Sequence, residues 1–111
     1  MTDRTTELEE FQANMQAFVD EAPELESFLG FVETAEATDT LSNKTKELMS
    51  LAIGVVLRCH PCILWHTNAA LDAGASEEEV VDALTVAVVM GGGPAMAYAT
   101  EAHEVLQDLV E

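Results

Sequence analysis

Between Leu48 and Leu57 the chain runs for ten residues without a charge, and Ser50 is the one polar side chain among them. Here and elsewhere apolar residues recur at spacings of three and four rather than two, and no alternating β-branched run is bounded by turn residues. The segment therefore reads as a helix, and a helix apolar on every side is expected to be buried on every side. A chain of 111 residues, 49% of them hydrophobic, can bury roughly two-thirds of its unfolded surface around such an element, so a single all-α domain over residues 1–111 is expected without disulfide staples or a structural metal.

About six helices follow from the same periodicity. Leu8, Phe11, Met15, Phe18 and Val19 form a stripe on the first, with Glu7, Glu9, Glu10 and Asp20 on the opposite, solvated face. A second begins near Pro23 and carries Leu25, Phe28, Leu29 and Val32, and the polar, threonine-rich stretch from Glu33 to Ser42 is the expected connection. Ser42 then caps the apolar helix, which runs from Asn43 to about Leu57. A fourth helix starts at His60 or Pro61 and stops at Gly74; Ser76 and Glu79 fit a capping box for a fifth, ending near Met90. The sixth runs from Pro94 to about Val110.

From Ala83 to Thr100 there are 18 positions without a charge, the length at which a membrane span has to be considered. Gly91, Gly92, Gly93 and Pro94 interrupt its middle, and neither half is long enough to cross a bilayer, so no membrane partner is expected. The first twenty residues show no apolar signal region, and a cytoplasmic location is the corresponding expectation. Twenty-one acidic residues against 4 lysines and arginines leave a formal charge of -17, which repels phosphate backbones and excludes nucleic acid as a partner class. An acidic shell around an apolar core suits a salt-adapted, halophilic interior, where screening relieves self-repulsion.

The acids are unevenly placed: eleven fall in residues 1–40, eight in 76–111, and only Glu47 and Asp72 in 41–75. That middle segment holds both cysteines, His60, His66 and Trp65. Cys59, Cys62 and His66 are spaced i, i+3 and i+7, which puts them along one face of a helix starting there. A thiol in a first helical turn has its thiolate stabilised by unpaired N–H groups and the positive dipole end, and a nearby imidazolium adds to this. Glu47 is the lone carboxylate between Thr40 and Leu71; burial would raise its pKa and suit it to accept a proton, directly or through a histidine. Gly54, seven residues on, would let a second helix carrying the cysteines come close.

Other readings stay open on the residues alone. Cys59, Cys62 and His66 with His60 or His103 could bind zinc; the cysteines could be inert and buried; Glu47 could be an ordinary first-turn acid. His103 between Glu101 and Glu104 reads as an exposed helix residue, and Trp65, Met90 and Met96 as packing residues. A thioredoxin-like setting for the C-x-x-C pair is excluded, because no βαβ pattern surrounds it.

The stretch KTKELMSLAIGVVLRCHPCILWHTNAALDAGASEEEVVDAL, followed by GGGPAMAYA, resembles the carboxymuconolactone decarboxylase superfamily, and within it the alkylhydroperoxidase D-like branch. The resemblance covers about residues 41–99 and leaves the acidic helices of residues 1–40 outside. It implies an all-helical homo-oligomer, a trimer or hexamer, that acts on a peroxide or disulfide substrate, draws electrons from an external dithiol reductant and needs no cofactor or metal. It casts Cys62 as the attacking thiol, Cys59 as the resolving one, His66 as proton acceptor and Glu47 as the far end of a proton relay, with His60 a further relay candidate. The chain departs from the branch in having Pro61 directly before the second cysteine, where the branch often has histidine. A lactone-acting decarboxylase and a metal-binding or structural oligomer are the alternatives.

Overall fold

The computed structural model of the chain describes residues 3–111, which form five helices and no strand. They are α1 (Arg4–Glu21), α2 (Leu25–Glu36), α3 (Asn43–Val56), α4 (His60–Asp72) and α5 (Glu77–Val110). Local chemistry sets most of the boundaries. Asp3 caps α1 by accepting from the Thr5 N–H, and Ser42 caps α3 by accepting from the Thr45 N–H. At α5 the reciprocal bonds of a capping box are both made between Ser76 and Glu79. Gly74, at φ 96, ends α4, with the Ala75 N–H reaching the Ala70 carbonyl at 2.9 Å.

The expected fifth and sixth helices are one interrupted helix. Pro94 has no N–H to give the preceding turn and its ring crowds the carbonyl four residues back, so regular winding fails just before it. Gly92 absorbs the failure at φ 66 and ψ -146, a conformation open to glycine, and hydrogen bonding resumes beyond it. By length and composition α5 is apolar enough to span a membrane. Its kink divides it into arms of fewer than the ~20 residues a span needs, and the first arm opens with Glu77, Glu78, Glu79 and Asp82. The loop before α3 is also shorter than expected, because α2 continues through Glu33 to Glu36.

The core lies where α3, α4 and α5 meet. Leu51 and Val55 of α3, Ile63 of α4 and Val80, Val105 and Leu106 of α5 are fully buried there. Alanines line the second arm of α5 at Ala95, Ala99 and Ala102, allowing close approach of the neighbouring helices. α1 lies across α4 and α5 through Leu8, while α2 touches α3 and buries no residue completely. Two expectations fail within the single chain. One side of α3 is uncovered, with Ile53 56% and Leu57 69% exposed, and Met90 and Met96 are exposed rather than packed. Apolar periodicity reports what avoids water and is silent on whether the same chain supplies the cover.

Candidate functional site

The turn between α3 and α4 builds the sulfur site from main-chain geometry. Leu57 ends α3, Arg58 takes the left-handed conformation at φ 59, the Arg58 N–H bonds the Val55 carbonyl and the Cys59 N–H bonds the Gly54 carbonyl, each at 3.0 Å. This is a Schellman ending, with arginine where glycine is usual. Its last residue is immediately the N-cap of α4: Cys59 Sγ accepts from the Cys62 N–H at 3.2 Å. The two cysteines are joined in a disulfide, and Cys62 occupies the third position of α4, where free N–H groups and the helix dipole favour negative charge on sulfur once the bond is reduced. Pro61 stands second in the helix, one place later than its preferred position, and still requires no hydrogen bond there.

Gly54 does what its spacing suggested. A Cβ built on it would lie 3.0 Å from the Cys62 Cβ, so α3 and α4 are in contact directly beneath the disulfide. One face of α3 thus carries Glu47, Leu51 and Gly54, all buried. Glu47 is 5% exposed, and its Oε2 meets His66 Nδ1 at 3.0 Å. Burial is the main influence on Glu47 and raises its pKa; the bond to His66 opposes this, and a second carboxyl, Glu36, raises it further.

Glu36 is the residue sequence reasoning missed. In sequence Glu47 looked alone, but the last turn of α2 swings Glu36 over α3, where Ser50 Oγ donates to Glu36 Oε1 at 2.6 Å. The proton-carrying atoms of Glu36, Glu47 and His66 all lie within 4.8 Å of one another. Only the polarity of Ser50 inside an otherwise apolar run hinted that something polar would face it.

His60 lies elsewhere. Its Nε2 is 2.7 Å from Glu7 Oε2, and its Nδ1 contacts Glu101. Arg4 joins the same cluster, 2.9 Å from Glu7 and within ion-pair range of Glu104 and Asp108. Glu7, placed on a solvated face by periodicity, is therefore a bridging residue between α1 and α4. The hydrogen bond from His60 and the Arg4 charge hold its carboxyl below the ordinary value of 4.5. A carboxyl depressed in the folded state adds stability above its unfolded pKa and loses it as pH falls through the folded one. Glu7→Gln is expected to lower the stability read from urea unfolding near pH 7 by less than about 1 kcal/mol, a difference that should close as pH falls below the ordinary carboxylate range.

The zinc arrangement considered from sequence is not assembled: both sulfurs are in the disulfide, His66 turns to Glu47, His60 turns to Glu7 and Glu101, and His103 is exposed on α5. Trp65 is half-buried and packs edge-on to Phe11, with ring centroids 6.4 Å apart. Between α1 and the start of α4, Phe11, Met15, Phe18, Pro61 and Leu64 form the apolar wall of an open groove of 490 Å³, with Glu7, Glu10 and His60 at its polar edge. Chemically, the site offers a two-electron sulfur couple at a helix start, an imidazole on the same helix, and a buried acid behind the imidazole.

Comparison with known proteins finds relatives of this fold. An uncharacterized protein of Cupriavidus necator is 33% identical over 102 residues, covering 91% of this chain and 90% of its own. An uncharacterized protein encoded in the cox locus of Paracoccus denitrificans is 33% identical over 76% of each chain. Among solved structures, the apo form of lpg0406, a carboxymuconolactone decarboxylase family protein of Legionella pneumophila, superposes with a TM-score of 0.91 at 32% identity over 99% of this chain and 100% of its own. TM1620 of Thermotoga maritima, a family member described in connection with an antioxidative response, superposes with a TM-score of 0.74 at 34% identity over 78% of this chain and 90% of its own. The sequence profile of the carboxymuconolactone decarboxylase family matches residues 23–104, from the turn before α2 into the second arm of α5. The chain belongs to the carboxymuconolactone decarboxylase family.

Proposed function

We propose that the chain is a thiol-dependent peroxidase or disulfide oxidoreductase of the alkylhydroperoxidase D-like branch, acting in the cytoplasm with an external dithiol as electron donor. The observation that carries this reading is the Cys59–Cys62 disulfide at the start of α4, with His66 on the same helix and in contact with Glu47. The antioxidative association of the Thermotoga relative points the same way. In the forward half-reaction the Cys62 thiolate attacks one peroxide oxygen, the O–O bond breaks, and the departing alkoxide or hydroxide takes the proton that His66 received from the thiol. Cys62 is then a sulfenic acid. Attack by Cys59 expels its oxygen as water and forms the disulfide; a dithiol reduces that bond by exchange, leaving two thiols here and a disulfide on the donor. Glu47 orients and supports His66 in these transfers.

Uncovered apolar residues on α3 and α5, Ile53, Leu57, Val89 and Met90 among them, support assembly into a homo-oligomer, a trimer or hexamer. A lactone-acting decarboxylase would need no sulfur couple, and the joined cysteines weigh against it. The test is consumption of an organic hydroperoxide by the reduced protein at high salt, with mass spectrometry in parallel. Activity should require the dithiol, and mild oxidant should remove two hydrogens per chain, restored by reductant. Consumption indifferent to the dithiol, or an unchanged mass, would refute the proposal.

A further inference from the structure

Glu36 has two oxygens in unequal surroundings. Oε1 accepts from Ser50, whereas Oε2 is buried and has no hydrogen-bond donor among the described residues. A buried carboxylate oxygen left in that condition is destabilising, so a donor is expected. The local candidates are engaged elsewhere. Lys46 Nζ donates to the Ala37 carbonyl at 2.8 Å, the Asn43 side chain donates to the Glu36 main-chain carbonyl at 2.7 Å, and Lys44 pairs with Glu79 of α5 at 3.0 Å. His66 Nδ1 meets Glu47 Oε2. The carboxyl of Glu47 stands beside Glu36, close enough for the two to act on each other.

We infer that Glu47 is the protonated member of a two-carboxyl pair, its O–H donating to Glu36 Oε2, and that Glu36 is the ionised member and a positioning residue for the His66 relay. Every polar group in the cluster is then satisfied: Ser50 donates to Glu36 Oε1, Glu47 donates to Glu36 Oε2, and His66 Nδ1–H donates to Glu47 Oε2. The imidazole is fixed in one tautomer, with the lone pair on Nε2 left to receive the thiol proton. The proton moves from sulfur to Nε2 and no other bond changes. The groups acting on Glu47 are Glu36 from α2 and His66 from α4; burial and Glu36 raise it while His66 lowers it. The catalytic meaning of this arrangement rests on the proposed oxidoreductase activity, but the protonation pattern does not.

The experiment therefore uses the full-length disulfide form, without peroxide and with a chelator present. Carbon-13 labelling at the glutamate carboxyls, assigned through Glu47→Gln, would follow Glu47 across pH. In the native chain its midpoint should lie above the ordinary glutamate range. In Glu36→Gln the new amide can donate to a Glu47 carboxylate, so the midpoint should fall by at least one unit, tenfold in acid constant. Glu47→Gln supplies an amide donor where the O–H stands and should fold at least as stably as the native chain. A Glu47 midpoint within or below the ordinary glutamate range, or one unmoved by Glu36→Gln, overturns the inference. Failure of peroxide turnover alone would strike the functional reading and leave this assignment standing.

Discussion

Replacing Cys62 with serine is expected to lower dithiol-dependent peroxide consumption by roughly 10³-fold or more, the scale seen when a nucleophile is removed from a concerted catalytic set. A hydroxyl at that position lacks both the nucleophilicity and the acidity of a thiol, and the start of α4 cannot make up a difference of that size. Cys59→Ser should behave differently. Its Cys62 can still attack, so one equivalent of peroxide is consumed and a sulfenic acid accumulates that a thiol-independent trapping reagent captures. Turnover then stops or slows, because no neighbouring thiol expels the oxygen. Stopped-flow consumption with mass analysis separates the two variants, and equal behaviour would mean that the assigned roles are wrong.

Gly54→Val should have the largest effect on the fold. The built Cβ at that position is already 3.0 Å from the Cys62 Cβ, tighter than nearly all real contacts, and valine adds two methyl groups to it. Cys62 cannot yield easily: its main chain is in α4, its N–H is bonded to Cys59 Sγ, and its sulfur is tied to Cys59. Gains in helix propensity over glycine are under ~1 kcal/mol, whereas overpacking of a fixed contact costs about 1–3 kcal/mol and sometimes more. A net loss of roughly 2 kcal/mol is expected in urea unfolding, together with slower reoxidation of the cysteines as the two helices are pushed apart. Gly54→Ala should show the same sign at smaller size. A valine variant as stable as the native chain would show that α3 and α4 do not meet closely at this point.

The parts of the molecule legible in sequence were those governed by near neighbours. Ser42, Ser76 with Glu79, and Gly74 mark helix ends because their chemistry acts within one turn. That Cys62 and His66 share α4, with Cys59 as its N-cap, follows from local spacing, and the closeness of Gly54 to Cys62 from the absence of a side chain. What could not be seen depended on packing between distant segments. Glu36 lies eleven positions before Glu47, across a loop whose path no periodicity specifies, and α2 had to fold back on α3 before the two carboxyls could meet. Likewise Glu7 and Glu101 reach His60 from opposite ends of the chain. The glycine cluster with Pro94 is a strong interruption signal, and it did interrupt regular winding, but whether a helix stops or merely bends there depends on the support of α3 and α4 against both arms.

The single left-handed residue between α3 and α4 has one more effect. Because the Cys59 N–H is bonded to the Gly54 carbonyl and the Cys62 N–H to the Cys59 sulfur, opening the disulfide does not set the thiols free to wander. The loss of freedom needed to bring them together has already been met by folding, so each sulfur experiences the other at a very high effective molarity. If the pair cycles as proposed, ring closure would be a local event that needs no remodelling of the bundle around it.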